Sequence, residues 1–170
     1  MDAASAVLRA RRILSEATPL NIDCGKTCLS ACCVSSEAGD GMFLFPEEKH
    51  IYGEYISGFE ILKVTYPFEA DMLICSAYCD RKNRPLACMF FPVIPYIRMY
   101  NGKASRGIML DTRAWPICPL MQSGMNAFAS EFINACKMAA MTLFESEEHS
   151  NFVYNLTEYI DSYKSFEDLS

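Results

Sequence analysis

Apolar positions along this chain recur with a helical period at both ends and with a shorter, extended pattern between them. Residues 3–17 contain no Gly or Pro, are rich in Ala, Leu and Arg, and stop before Pro19. They predict a helix. Val7, Leu8, Ile13 and Leu14 give it a modest apolar side, and Arg9, Arg11 and Arg12 read as a solvated basic face rather than an RNA contact. In residues 119–144, Met121, Met125, Phe128, Phe132, Cys136, Ala139 and Leu143 recur at spacings of three and four. That is one apolar stripe of a long helix beginning at Pro119. Residues 150–162 predict a further helix with Phe152, Leu156, Tyr159, Ile160 and Tyr163 on one side. The methionines and aromatics of these helices read as core.

The middle of the chain is punctuated more often. Residues 35–41 are turn-rich and predict a loop. Residues 42–45 are a short apolar run with strand character. Pro46-Glu47-Glu48 then places Pro at a first helical position and acids in the first turn, which predicts a helix to about residue 56 with Gly58 as its stop. Residues 61–66 and 72–75 also have strand character. Pro92 and Pro95 interrupt residues 89–100, so a strand there lies on an edge or starts late. Residues 96–100, Asn101-Gly102 and an extended run up to Leu110 predict a hairpin with a type I′ turn.

Charge narrows the function classes. Residues 145–170 hold seven acidic residues and one Lys, so the whole net charge of -6 lies in this tail, which reads as a solvated helix face. The remainder is balanced, which argues against nonspecific nucleic-acid binding. No run approaches the roughly 20 apolar residues of a membrane span. The first residues lack the apolar region of a secretory signal. A cytoplasmic, reducing location is therefore expected.

That expectation bears on the cysteines. Four of nine fall within ten residues, at Cys24, Cys28, Cys32 and Cys33, and Cys75, Cys79, Cys88 and Cys118 follow. Disulfides are rare in reducing compartments, and an odd count fits a closed disulfide framework poorly. Thiolates are soft ligands suited to zinc or to iron–sulfur clusters. All eight are candidate metal ligands. Cys24, Cys28 and Cys32 share a four-residue spacing, as do Cys75 and Cys79, so each set shares one side of a helical turn. Cys118 precedes Pro119, where a helix N-terminus would favour a thiolate. Cys136 belongs to the apolar stripe and is set aside as a small buried hydrophobe. Lys26, Arg81, Lys82 and Arg84 either offset thiolate charge through N–H···S contacts or are ordinary surface charge. His50 follows Glu47 and Glu48 in what reads as a surface helix, and His149 sits in the acidic tail; both read as solvated, so nucleophilic or acid–base catalysis has little support. The expected architecture is α+β, mostly α: helices and a small antiparallel sheet around a cysteine-ligated metal site. It forms a single domain over residues 1–170, with a cysteine-rich region at 21–119 and C-terminal helices at 119–165.

The series Cys24-x3-Cys28-x3-Cys32-Cys33, then Cys79, then Arg84-Pro85-x2-Cys88-x2-Phe91-Pro92, then Cys118-Pro119 resembles the YkgJ family, a zinc- or iron-chelating CxxCxxCC domain. The resemblance spans residues 24–119. It departs in two places: the first gaps are three residues where the family has two, and Asp80-Arg81 stands where the family has Ile-Tyr. It implies a metal-binding protein holding zinc or iron, including a 4Fe-4S cluster. Related domains occur in enzymes that methylate flagellin lysines. It therefore also implies the alternative of an iron–sulfur enzyme or a redox or methyl-transfer component acting on a protein partner or substrate. Three classes stay open: a zinc-held binding module, an iron–sulfur enzyme, and a redox or metal-trafficking protein with Cys32-Cys33 as its labile pair.

Overall fold

The computed structural model describes residues 1–33, 41–52, 58–75 and 81–167. Helix α1 (Ala3–Leu14) starts where the Asp2 side chain accepts the Ser5 N–H at 2.9 Å. This cap satisfies one of the free donors of the first turn. The helix ends at Leu14 rather than at residue 17. Its buried face is Ala3, Ala6, Val7, Ala10 and Leu14. Leu8, expected on the apolar side, is exposed. The stripe runs through small alanines, and it packs against helix α4 (Ser130–Leu143).

Helix α4 is shorter than the apolar stripe predicts. Residues 119–129 are two short 3-10 turns, Pro119–Ser123 and Met125–Ala127, followed by extended backbone. Gly124 separates the turns at φ 66° and ψ -175°, a conformation open to glycine and not to a helix. The Ala129 N–H then donates to the Pro19 carbonyl at 2.8 Å, which ties the start of α4 to the segment after α1. Helix α5 (Glu147–Glu167) begins earlier than expected, and the Ser146 hydroxyl accepts the His149 N–H at its first turn.

Strand β1 (Met42–Phe43) and strand β2 (Phe59–Val64) flank strand β3 (Ala70–Cys75) in an antiparallel sheet of order β1-β3-β2. Leu73 stands opposite Met42 on one side and Ile61 on the other. The helix expected at 46–56 is only a 3-10 turn, Glu48–Ile51, entered through Glu47 at φ 65°. The Glu48 carboxylate folds back onto the Phe45 N–H at 3.0 Å, so a capped turn replaces the first helical turn. Residues 53–57 lie outside the described residues, as does most of the loop expected at 35–41.

Strands β4 (Val93–Tyr100) and β5 (Lys103–Leu110) form the expected hairpin. Asn101 and Gly102 both have positive φ, 49° and 75°, as a type I′ turn requires. β4 starts directly after Pro92, and Pro95 sits within it. Both strands of a two-stranded sheet are edges, so the missing N–H is tolerated. Helix α5 packs on β4, where Thr157 Oγ1 accepts the Ile97 N–H at 3.1 Å and Arg98 makes a two-pronged pair with Asp161 at 2.7 Å. One large apolar core joins α1, α4, α5, β4 and a short helix, α3 (Leu86–Phe90). A smaller cluster of Leu44, Tyr52 and Leu73 lies under the three-stranded sheet. The fold is α+β with helices predominating. Among the described residues no helix is long and apolar enough to cross a membrane.

Candidate metal centre

The first cysteines sit on a single helical turn, α2 (Cys24–Cys28). Asp23 caps it by accepting the Gly25 N–H at 3.1 Å. The four-residue spacing puts Cys24 and Cys28 on one side. Leu29 and Ser30 then adopt left-handed backbone, φ 55° and 56°, which is uncommon for residues other than Gly. This reverses the chain into the 3-10 turn Ala31–Cys33, fixed by the Cys33 N–H donating to the Ser30 carbonyl at 2.7 Å.

Two distant segments meet α2. Helix α3 carries Cys88, and Cys118 occupies the cap of the Pro119–Ser123 turn. Cys24, Cys28, Cys32, Cys88 and Cys118 line one cavity of about 130 Å³. The rest of its wall is mostly apolar, drawn from the end of α1 and the segment after it, from Met89, Phe91 and Pro92, and from the residues around Cys118. Five of the eight expected ligands therefore converge from three parts of the chain.

Cys33 is half-buried and is not among the residues of this wall. The Cys32 thiol donates to the Cys33 sulfur, which raises Cys32; the same bond and, to a lesser extent, the Arg84 guanidinium lower Cys33 to about 6 against its burial. Burial raises Cys24, and the neighbouring Cys28 adds to the rise. Burial also raises Cys118, against the backbone N–H groups of Leu120 and Met121, which favour its thiolate. Cys75, at the end of β3, packs with the small Leu44–Tyr52–Leu73 cluster and is not on the cavity wall. Cys79 lies outside the described residues. Among the described residues no three Cys, His, Asp or Glu side chains stand close enough to hold an ion without moving.

Among the described residues, Arg84 is the cation of these motifs that lies in the cavity wall. Its Nε is buried and makes no hydrogen bond. A buried donor left unpaired costs roughly 1–3 kcal/mol, so its position among thiols calls for an anionic acceptor there. Lys26 is exposed.

Three sequence expectations are corrected. Arg11 is not part of a solvated face: its side chain is 11% exposed and pairs with Glu48 at 2.7 Å. It falls on the stripe of Val7 and Leu14 at spacings of four and three, which is the signal that could have found it. Glu48, expected in an exposed first turn, is fully buried. His149 is fully buried, packed on Phe45 with ring centroids 6.2 Å apart. It shares the inward stripe of Phe152, Val153 and Leu156, and that spacing outweighs the acidic neighbours in sequence. His50 is exposed beside Glu47, as expected. Cys136 is buried in the main core, where burial pushes its thiol up to about 12.

No family model matches the chain, and no curated protein or solved structure matches it.

Proposed function

We propose that this chain is a metal-binding protein, resembling the YkgJ family, whose cavity thiols hold zinc, iron or an iron–sulfur cluster. The observation that carries this is the convergence of Cys24, Cys28, Cys32, Cys88 and Cys118 on one cavity. Scattered buried thiols have no reason to share a wall. The donor set fits a soft ion, because sulfur is the ligand that zinc and iron–sulfur clusters prefer. The unpaired Arg84 Nε fits as well, since thiolates on a metal keep their negative charge and accept N–H bonds. Cys33, Cys75 and Cys79 remain in the proposed ligand set on their place in the sequence motif. The sulfurs must close in to reach about 2.3 Å from an ion, so binding is coupled to local ordering.

When bound, the ion supplies a cross-link between segments and, as a cluster, an electron-transfer centre. The chain's own residues deprotonate, orient and shield: α2 presents a thiol pair, α3 and the Pro119 turn present one each, and the apolar wall limits water. A second reading, an iron–sulfur enzyme or a redox or methyl-transfer component acting on a protein substrate, is favoured by the size of the cavity. One water needs only about 10–15 Å³ of such space, so 130 Å³ leaves room beyond a single closed ion. A reducing cytoplasm suits free thiols.

The test is metal and acid-labile sulfide content of protein purified without oxygen. Zinc without sulfide supports the structural or binding module. Iron with equal sulfide and visible colour supports the cluster reading. Protein free of zinc, iron and sulfide, and unable to take them up, would overturn the proposal.

A further inference from the structure

A buried ion pair stands behind the cavity wall. Glu48 Oε1 accepts from Arg11 Nη1 at 2.7 Å, from the Tyr52 hydroxyl at 3.3 Å and from the Leu86 N–H at 2.6 Å. Its Oε2 accepts the Phe45 N–H at 3.0 Å. Arg11 Nη1 also donates to the Arg84 carbonyl at 2.6 Å and to the Tyr52 hydroxyl at 3.0 Å, and Nη2 donates to the Lys82 carbonyl at 3.2 Å. Three backbone groups of one short segment, the carbonyls of Lys82 and Arg84 and the N–H of Leu86, are thus held by two side chains. Those side chains come from α1 and from the Glu48 turn, far away in sequence.

The position of that segment matters. It carries Arg84 into the cavity wall, and it runs directly into α3, where Cys88 is two residues beyond Leu86. Desolvating an Arg–carboxylate pair is expensive, and apolar side chains of similar volume often stabilise a fold equally well. What apolar residues cannot do is fix two carbonyls and one N–H in a set geometry. The planar fork of arginine can, and lysine cannot replace it.

We propose that Arg11, Glu48 and Tyr52 are positioning residues for the thiol site, setting the place of Arg84 and Cys88 relative to Cys24, Cys28, Cys32 and Cys118. The inference rests on the metal-binding reading above. Partners outside the ligand shell of a metal change affinity by about 10–100-fold when removed. The brace therefore acts on metal affinity, not only on folding.

The test is cobalt(II) titration of the reduced full-length chain, read by its sulfur-to-cobalt charge-transfer absorption, alongside urea unfolding of the metal-free protein. The variants are Arg11→Met, Arg11→Lys, Glu48→Gln and the mild Tyr52→Phe, with Arg98→Met as a control. Arg98 pairs with Asp161 away from the cavity wall. Arg11→Met and Glu48→Gln should weaken cobalt binding by at least about tenfold and alter the charge-transfer band, Arg11→Lys should not restore it, and Arg98→Met should bind as the unaltered chain does. If Arg11→Met or Glu48→Gln does not fold, Tyr52→Phe decides, with an expected several-fold loss. Variants that lose stability but bind cobalt with unchanged affinity and spectrum would overturn the inference and leave the metal reading standing. An unaltered chain that binds no cobalt would overturn both.

Discussion

His149 gives a pH dependence whose size can be worked out from its surroundings. It is fully buried on Phe45, with the Pro46 backbone beside it and neither ring nitrogen in a hydrogen bond of good geometry. Burial penalises the charged ring and lowers its pKa from the usual 6.5 to about 4. The folded state therefore binds fewer protons than the unfolded chain between those two values. Stability is intact above pH 6.5 and is lost as pH falls toward 4. At 1.36 kcal/mol per unit, acidification to pH 5 removes about 2 kcal/mol. Glu48 runs in the opposite direction: burial raises its carboxyl, against Arg11 and two backbone N–H groups, so its contribution is lost as pH rises. Urea unfolding of the unaltered chain and of His149→Phe at a series of pH values from 8 to 5 isolates the histidine, because other groups cancel in the difference. The gap between the two proteins should change by about 2 kcal/mol over this range, with the variant relatively more stable at pH 5. A gap independent of pH would show that the ring is not held neutral by burial.

Other substitutions test the packing and the site. Thr157→Val leaves the buried Ile97 N–H without its acceptor and should destabilise by about 1–3 kcal/mol in urea unfolding. Gly124→Ala places a side chain at φ 66°, where nothing crowds it but the backbone itself is disfavoured. A loss of about 1–3 kcal/mol is expected, and an unchanged melting temperature would contradict it. Cys28→Ser should lower metal content and melting temperature together. Cys136→Ser should keep full metal content and lower stability by about 1–3 kcal/mol, through a hydroxyl buried in the core.

How much of this was legible from residues alone depended on how local the determining interaction was. The β4–β5 hairpin was readable because Asn101-Gly102 dictates its own turn and the flanking strands follow. The stripe of α4 was readable over Phe132 to Leu143, but its start was not, because Gly124 and the Ala129–Pro19 bond break the period. Arg11 and His149 were misread for one shared reason. A polar residue on an inward stripe is buried when a partner or a packed ring meets it, and the partner lies far off in sequence. The grouping of Cys24, Cys28 and Cys32 was visible as spacing. Their meeting with Cys88 and Cys118, and the separation of Cys75, follow from how α1, α3 and the Pro119 turn pack.

The most direct test is X-ray absorption at the metal edge of protein purified without oxygen. The proposed centre predicts a shell dominated by sulfur at about 2.3 Å, diminished in Cys28→Ser and unchanged in Cys136→Ser. A shell of oxygen and nitrogen alone, or a sulfur shell indifferent to Cys28→Ser, would contradict a metal centre built on these cavity thiols.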